Sequence, residues 1–501
     1  MPKTSAVKAT EIVWPTSTSP GGRPPENSGR LFNCYAEPMG DGNSVWKRSP
    51  GVTQYGAEVT TDWHFWGLGL FGFNVAEAIT LPSGIFRGGI FVSGTLFVVL
   101  GESLYTIIEG GAFTKIGAVS GTDRVFLARN NKQPVPDIVL VCEAGAFIIT
   151  TTSISSYPDA DVGSPTCVVG HEGFFMFGYG TGDIIATAIN DTTINVVTTS
   201  RSDTNPDGIV QLVSYGGYLY SMGSATIEQW GLPLNDSPEF PFNRIGYNNT
   251  PGLITHHAVA GYEPEFGQPP LYVGSDHTVR VMSGSEFPIV SPPQLNRLIK
   301  GVPSNDTLEA MAYVSDGVPF WQLSSPDWTW EINVSTGKWT ERTSYLLERC
   351  RWTGSVFAFD RWMTGDISEN GRMLEITSSA LKEINDPLIP MLESLPVEDF
   401  PAFVAVPRAD FEFSSGVGMA GGADPNETNP YAEVSWSDDG GQTFKDPQFR
   451  ELGRQSKTMR RITVRRCGMS GPQGRRWRIA VPSAVHLGFI GANCTALFTE
   501  K

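Results

Sequence analysis

Short runs that alternate apolar and polar residues, broken by glycines, fill most of this chain. The clearest example lies within residues 205–231, where Ile209–Val213 and Tyr218–Met222 flank Gly216-Gly217 and Thr226-Ile227-Glu228 follows. Paired glycines supply the positive φ that a two-residue hairpin loop requires. Alternating aromatic and polar residues are typical of a half-buried sheet. The pattern therefore predicts one small antiparallel sheet here.

Similar patterns recur between Thr53 and Leu381. They are Gly89–Gly101, Ser103–Ile116, Ile138–Thr150, Glu172–Asn190, Leu271–Met282, Phe320–Trp339 and Val356–Ile376. A small sheet cannot bury both of its faces alone, and stacking several such sheets radially solves that problem. The series predicts an all-β fold with a β-propeller-like main domain, and a long β-sandwich is the alternative.

The two ends of the chain differ from this central region. Residues 1–30 are polar and rich in Pro, Ser and Gly, which predicts an extended N-terminal arm held by a neighbouring chain. A strand pair follows up to Val52. After Tyr431, strand-length runs predict a C-terminal antiparallel β module. We therefore expect an arm and strand pair at 1–52, a propeller at 53–390 and a sandwich-like module at 391–501.

Helices are predicted in few places. Pro293–Lys300 places Leu295, Leu298 and Ile299 on one helical face. Ser378–Ile384 and Met391–Leu395 are weaker candidates.

Composition supports this fold class. The chain has 501 residues, and its 18% of charged residues, 11% of aromatics, 55 glycines and 36 prolines favour a large all-β protein. Its six cysteines show no CxxC spacing, so they are interpreted as reduced, buried thiols and not as a zinc site. No apolar run reaches 18 residues, and the N-terminal decapeptide lacks a signal-peptide core. We expect synthesis in the cytoplasm and no membrane insertion.

Charge is distributed unevenly. The net charge of −16 argues against a conventional nucleic-acid-binding protein. The segment Arg450–Arg478 nevertheless holds ten basic residues and one acid, Glu451. The basic residues are Arg450, Arg454, Lys457, Arg460, Arg461, Arg465, Arg466, Arg475, Arg476 and Arg478. Three interpretations stay open: a solvated basic face, a docking surface for an acidic partner, or contacts with DNA phosphate.

Familiar catalytic motifs are not supported. Gly67–Gly72 matches GxGxxG but lacks the strand–turn–helix context of a dinucleotide site. Ser335–Lys338 matches SxxK but falls in a predicted hairpin turn. His256 and His257 are adjacent, and a strand would point them to opposite faces. The sequence predicts no catalytic, cofactor-binding or metal-ligating residue, no cofactor, and no enzymatic activity.

Ser437–Phe444 resembles an Asp-box, the S-x-D-x-G-x-T-W hairpin, with Phe444 in place of Trp. Its aspartate caps the turn by accepting hydrogen bonds from backbone amides. We interpret it as structural. It also suggests the alternative function, a carbohydrate-binding or glycan-cleaving β-propeller.

Four ordered segments resemble a known family. They are Pro206–Ile209 with Gly223-Ser224 and Thr226–Glu228; Asn33–Glu37 with Arg48–Val52; Leu271–Ser291 followed by the Leu295–Ile299 helix; and Ser437–Phe444 with the later Arg-rich strands. Together they are similar to the packaged-DNA stabilisation proteins of short-tailed bacteriophages, also called tail accessory, tail hub or nozzle proteins.

This resemblance implies a structural virion protein of the phage tail without catalytic residues. It implies a hexameric ring below the portal ring and head–tail adaptor that extends the DNA channel and retains packaged DNA. The ring would enclose double-stranded DNA without sequence-specific contacts. It would anchor the tail needle, tailspike or tail fibre proteins. A trimeric receptor-binding fibre is a third possibility, but the sequence lacks a repetitive shaft.

Overall fold

Strands dominate the structure. The computed structural model describes residues 7–21, 26–40, 42–56, 82–202, 207–232, 240–248, 251–284, 286–368, 370–421, 424–458 and 460–499. Strands account for 49% of the residues and helices for 5%, which confirms the predicted all-β class.

The strands of the first half of the chain are short and closely spaced. They are β1 (Val7–Ile12), β2 (Arg30–Phe32), β3 (Cys34–Pro38), β4 (Ser44–Arg48), β5 (Gly51–Tyr55), β6 (Phe86–Val92), β7 (Thr95–Leu100), β8 (Ser103–Ile108), β9 (Phe113–Ala118), β10 (Phe126–Arg129), β11 (Ile138–Cys142), β12 (Gly145–Ile149), β13 (Ile154–Ser156), β14 (Cys167–His171), β15 (Phe174–Gly178), β16 (Asp183–Thr187), β17 (Ile194–Arg201), β18 (Gln211–Tyr215), β19 (Tyr218–Met222), β20 (Ile227–Gly231) and β21 (Asn243–Asn248).

The second half adds longer strands and two helices. The strands are β22 (Val259–Ala260), β23 (Leu271–Val273), β24 (Val279–Val281), β25 (Glu309–Ser315), β26 (Val318–Ser324), β27 (Thr329–Asn333), β28 (Lys338–Arg342), β29 (Trp352–Ala358), β30 (Arg361–Asp366), β31 (Met373–Thr377), β32 (Lys382–Glu383), β33 (Asp386–Pro387), β34 (Met391–Glu393), β35 (Phe403–Phe413), β36 (Tyr431–Ser437), β37 (Gln448–Glu451), β38 (Ile462–Arg465), β39 (Met469–Ser470), β40 (Arg476–Ala480) and β41 (Gly488–Thr499). The helices are α1 (Pro293–Lys300) and α2 (Pro425–Thr428).

Two compact units divide the chain. One, the sandwich unit, combines Met1–Thr53, Ala258–Arg351 and Ile376–Lys501. The other, the propeller unit, combines Gln54–His257 and Trp352–Glu375. The units group the chain differently from the three predicted segments, whose boundaries at residues 52 and 390 stay a prediction.

The propeller unit consists, over its described residues, of five antiparallel sheets. Strands β6–β9, β10–β13, β14–β17 and β18–β21 form four-stranded sheets in chain order, and β29–β31 form the fifth. The first strands of successive sheets pack side by side, β29 on β6, β6 on β10, β10 on β14 and β14 on β18. This is the arrangement of propeller blades, and the predicted fold is confirmed.

The hydrophobic cores of this unit lie between neighbouring sheets. Leu96 and Val98 of β7 share one core with Met363 of β30, whereas Phe97 and Val99 of the same strand share another core with strand β11. Alternate residues of one strand therefore serve two different cores, as the period of two requires. This explains why the central runs contain so many consecutive apolar residues.

The hairpin predicted at Gly216-Gly217 is confirmed. Both glycines have positive φ, 61° and 79°, and they join β18 to β19. Asp207 closes the far end of this sheet, because its Oδ2 accepts hydrogen bonds from the amides of Ala225 (2.7 Å) and Thr226 (3.0 Å). Asn205 and Pro206 lie outside the described residues.

The sandwich unit contains two larger sheets in addition to the three-stranded sheet β22–β24. One has the order β25-β26-β27-β28-β2-β34-β40-β36-β37. The other has the order β3-β4-β41-β35-β38, with β1 added on β41 and β39 on β35. Their inner faces share one core, in which Phe411 lies against Trp477 with ring centroids 5.3 Å apart. The expected C-terminal module is thus built together with strands from the N-terminal end.

The predicted N-terminal arm packs, over residues 7–21 and 26–30, within its own chain. Strand β1 pairs with β41 from Val7↔Leu497 to Ile12↔Ala492. Trp14 is buried with its ring 4.9 Å from that of Phe489. These residues form part of the sandwich unit of their own chain, whereas the sequence predicted that a neighbour would hold them.

A buried ionic group lies behind β28. Arg342 is fully buried, and its guanidinium lies 3.7 Å from Glu331 Oε1 and 3.9 Å from Glu383 Oε1. It also donates a hydrogen bond to the carbonyl of Pro50 (3.0 Å). The hydroxyl of Tyr313 donates to Glu331 Oε2 at 2.5 Å. Burial raises the pKa of both carboxyl groups, and the Arg342 charge opposes that rise.

Of the other local predictions, one helix and the state of the cysteines are confirmed and two helices are wrong. Helix α1 has the predicted bounds and buries Leu295 and Ile299. The two weaker helix predictions are wrong, because Lys382–Glu383 and Met391–Glu393 are strands. All six cysteines are buried and free, as expected.

Candidate functional site

The Asp-box is a structural hairpin. Asp439 accepts hydrogen bonds from the amides of Gln442 (2.9 Å) and Thr443 (3.0 Å) and from the Thr443 hydroxyl (2.6 Å). Burial alone would raise the pKa of Asp439, but hydrogen bonds from Ser437, Thr443 and Gln442 outweigh it and lower that pKa to about 2. The Asp439 carboxylate therefore stabilises the turn. The Asp-box then gives no support to a glycan-binding or glycan-cleaving function.

Two of the ten basic residues in Arg450–Arg478 are buried, and a third, Arg478, is partly exposed but bound within the sandwich unit. Arg475 is buried and donates two hydrogen bonds to Asp438 Oδ1, at 2.9 and 2.6 Å. Arg476 is buried and donates to both the side chain and the carbonyl of Asn27. Arg478 donates to Glu393 and lies 3.6 Å from the centroid of the Phe444 ring. The guanidinium groups of these three residues are bound to other groups of the sandwich unit.

Six other basic residues form an exposed surface, which we call the basic edge. They are Arg454, Lys457, Arg460, Arg461, Arg465 and Arg466. They lie on the loop between β37 and β38 and at the end of β38. Glu451 pairs with Arg460. The exposed basic surface thus holds six of the ten basic residues of Arg450–Arg478, and the side chains of these six face solvent.

Local hydrogen bonds position the basic edge. The Nε of Arg450 donates to the carbonyl of Thr463 (3.1 Å) and ties β37 to β38. The amide of Arg466 donates to the carbonyl of Pro407 (2.8 Å), and Arg466 has a φ of 59°. This backbone turn presents the side chains of Arg465 and Arg466 at the end of a fixed strand.

A cavity of about 470 Å³ lies in the sandwich unit beside α1. Its walls include Arg30, Phe32, Arg297, Trp328 and Glu341. Arg30 is bound to Glu341, at 3.1 and 2.6 Å, and lies over the Phe32 ring. With acids and bases balanced along its walls, the cavity shows no preference for a charged ligand.

The two adjacent histidines do not lie on opposite faces of a strand. They occupy a turn in which His257 has a φ of 57°, and both rings approach Phe126, at 5.8 and 4.3 Å. Burial first, and then the charge of Arg124, lowers the pKa of His257 well below its usual range. This histidine packs as a neutral ring in the propeller unit.

No group of three His, Cys, Asp or Glu side chains among the described residues could hold a metal ion. The SxxK match falls at the turn between β27 and β28. The GxGxxG match at Gly67–Gly72 lies outside the described residues. The prediction that the chain has no catalytic or cofactor-binding residues stays a prediction.

The sequence did not reveal which basic residues face inward. Arg476 meets Asn27 and Arg478 meets Glu393, partners that are remote in sequence. One signal was present, because Trp477 at the centre of the Arg475–Arg478 run indicated a strand with one buried face.

The described part of the chain contains no helix with the length and apolarity to cross a bilayer.

Solved structures share only a general likeness with this chain. A selenomethionine-substituted virginiamycin B lyase from Staphylococcus aureus is 10% identical, with a TM-score of 0.40, and covers 60% of this chain and 95% of its own. A streptogramin B lyase is 9% identical, with a TM-score of 0.40 and the same coverage. A catalytically inactive form of the Staphylococcus aureus enzyme with quinupristin is 10% identical, with a TM-score of 0.41, and covers 60% and 96%. Likeness at this level carries no argument about activity.

The comparison of sequences is more specific. No curated protein shows a significant match to the chain. The profile of the family Phage_stabilise, described as bacteriophage P22 Gp10, beta-propeller, matches residues 72–378. That region contains strands β6–β31 and is more than half of the chain. The resemblance seen in the sequence is thereby confirmed, and the chain belongs to the phage stabilisation protein family whose type is the P22 Gp10 β-propeller.

Proposed function

We propose that this protein is a subunit of the phage tail hub, or nozzle. It forms a hexameric ring below the portal ring and head–tail adaptor, extends the DNA channel, retains packaged DNA and anchors the tail needle, tailspike or tail fibre proteins. The observation that carries the proposal is the family match over residues 72–378, which indicates a structural protein of the virion.

The amino-acid charge of the propeller unit is compatible with this role. The propeller unit holds 22 acidic and 9 basic residues, so it carries −13 of the net charge of −16. Dense phosphate contacts would slow DNA that must pass during ejection, because each one adds electrostatic affinity. An acidic ring avoids such contacts and can enclose double-stranded DNA without reading its sequence.

The proposed role is non-enzymatic and places the protein in the virion. It needs rigid sheets and docking surfaces rather than a reactive side chain. The occupied carboxylate of the Asp-box and the packed His257 fit this description.

Two experiments test the proposal. Negative-stain electron microscopy of the purified full-length chain, alone and with the adaptor, should show rings with six-fold symmetry. Phage particles assembled without the protein should fill with DNA and then lose it, which is measured as nuclease-sensitive DNA. Particles that retain DNA without the protein, or a protein that stays monomeric with the adaptor, would contradict the proposed role.

A further inference from the structure

A second charged surface lies on the propeller unit, and we call it the acidic rim. It consists of Asp137, Asp159, Asp161, Glu172 and Asp191. Asp137 lies in the loop between β10 and β11, and Glu172 lies in the turn between β14 and β15. Asp191 lies in the turn between β16 and β17. The rim is therefore built from the ends of two neighbouring sheets.

Hydrogen bonds bring these loops together. The amide of Asn131 donates to Asn190 Oδ1 (3.0 Å) across the two sheets. The amide of Ile194 donates to Asp159 Oδ2 (2.9 Å). The amide of Asn190 donates to the carbonyl of Gly173 (2.8 Å), which fixes the Asp191 turn beside the Glu172 turn.

Tyr157 lies among three of the rim carboxylates. Its hydroxyl donates to the carbonyl of Thr192 (2.6 Å). Burial raises the pKa of Tyr157, and the charges of Asp159, Asp191 and Asp137 raise it further. Lys132 pairs with Asp137 at 3.1 Å and balances one of the five acidic charges. Asp161, Glu172 and Asp191 are exposed to solvent.

Both charged surfaces also expose large apolar side chains. On the loops of the acidic rim, Val135 is 64% exposed and Ile189 is 59% exposed. Beside the basic edge, Phe449 of β37 is 60% exposed and Met469 of β39 is 59% exposed. Exposed apolar residues within a charged surface are typical of protein–protein interfaces, where a partner covers them.

We propose that the basic edge of one copy docks on the acidic rim of the next copy. This inference rests on the ring proposed above and names the surfaces that join its subunits. One chain carries both surfaces, which are opposite in charge and each partly apolar. A contact between two different surfaces of identical subunits is heterologous, and it closes into a ring when the rotation between subunits allows.

Charge reversal on each side tests the contact. The basic reversal is Arg465→Glu/Arg466→Glu, and the acidic reversal is Asp161→Lys/Glu172→Lys. The described structure shows no side-chain hydrogen bond by which these four residues hold another element in place. Lys115→Glu/Lys338→Glu changes the net charge as much as the basic reversal but lies on neither surface, so it is the matched control. Thermal unfolding of each variant verifies folding.

Mass photometry in 50 mM NaCl measures the fraction of chains in rings. Each reversal alone should raise the apparent dissociation constant of the ring by about tenfold or more, because two attractive charges are lost and two repulsive charges take their positions. The control should not change it. An equimolar mixture of the two reversed chains should restore rings, since the substituted positions of one chain meet substituted positions of opposite charge on the other when the two chains alternate. Raising salt should weaken the wild-type ring.

Three results would overturn the inference. Rings could form equally well with either reversal, or the two folded variants could stay monomeric when mixed. The third result is a basic reversal that abolishes DNA binding but leaves ring formation unchanged. If the wild-type chain forms rings in these experiments, each of the three results contradicts only the proposed contact and not the proposed function. A wild-type chain that forms no ring, even with the adaptor, would instead remove the proposed function itself.

Discussion

Removing Arg342 should destabilise the sandwich unit strongly and in a pH-dependent way. The change to test is Arg342→Met, which keeps much of the side-chain volume but removes the charge. Glu331 and Glu383 are then left as buried carboxylates 0% and 1% exposed, with their cation gone. A buried charge without its partner is costly because water cannot solvate it.

The magnitude follows from the distances. At an effective dielectric constant of about 20, charges 3.7 and 3.9 Å apart attract by about 4 kcal/mol each before desolvation is counted. Breaking one buried pair by removing a partner costs about 3–5 kcal/mol in measured cases. We expect a loss of about 3–5 kcal/mol in the free energy of unfolding at pH 8.

The sign of the pH dependence is set by the two glutamates. Burial already raises their pKa values, and losing the Arg342 charge raises them further. A carboxyl group with a raised folded-state pKa binds more protons in the folded state, so stability falls as pH rises between its unfolded and folded pKa values. The deficit of Arg342→Met should therefore shrink at pH 5 compared with pH 8.

Urea unfolding followed by tryptophan fluorescence measures both effects. The triple variant Arg342→Met/Glu331→Gln/Glu383→Gln is the rescue control, because it removes the buried charges together. A deficit below 1 kcal/mol, or one that grows on acidification, would refute this account of the buried ionic group.

Three further predictions address other elements. Trp14→Ala should cost about 3–5 kcal/mol of unfolding free energy, because the ring is buried in the sandwich core; a change below 1 kcal/mol in urea unfolding would mean that the N-terminal segment is a free arm. Asp439→Ala should cost about 1 kcal/mol at pH 7 after solvent screening; since the carboxyl has a pKa of about 2, the difference from wild type should vanish as acidification protonates it, and a pH-independent difference would contradict the capping role. Gly252→Ala should cost about 1–3 kcal/mol, because its Cβ would overlap the carbonyl of Gly223; an unchanged thermal midpoint would contradict the close approach.

Local geometry was predictable because the chemistry that fixes it is local. The Gly216-Gly217 hairpin needs only two residues of positive φ between alternating strands. Helix α1 needs Pro293 at its start and one apolar face. Asp439 lies within four residues of the amides that it caps. In each case the interacting groups lie within a few residues of each other in the sequence.

Long-range pairings were not predictable in this way. Strand β2 joins β28 and β34, with Phe32 opposite both Glu341 and Met391. No local pattern at residues 30–32 specifies either partner. None at residues 7–12 specifies the pairing of β1 with β41, so residues 1–30 were interpreted as an arm. The same limit applies to Arg476, whose burial depends on Asn27. The sequence predicted only the total charge of residues 450–478. It did not show which of these basic residues form the exposed basic edge.

The pairing of β1 with β41 sets an order of events during synthesis. A ribosome-bound chain that has completed its propeller sheets still lacks β35, β38 and β41, which supply the centre of the second sandwich sheet. Contacts between such distant segments form late, because the intervening chain must be made and its ends brought together. Strand β38, which presents Arg465 and Arg466, pairs with β35 and is therefore fixed only after the propeller sheets have been made. A nascent chain that has completed only its propeller sheets consequently lacks the strand that presents the basic edge, so the order of the strands delays the proposed contact between copies.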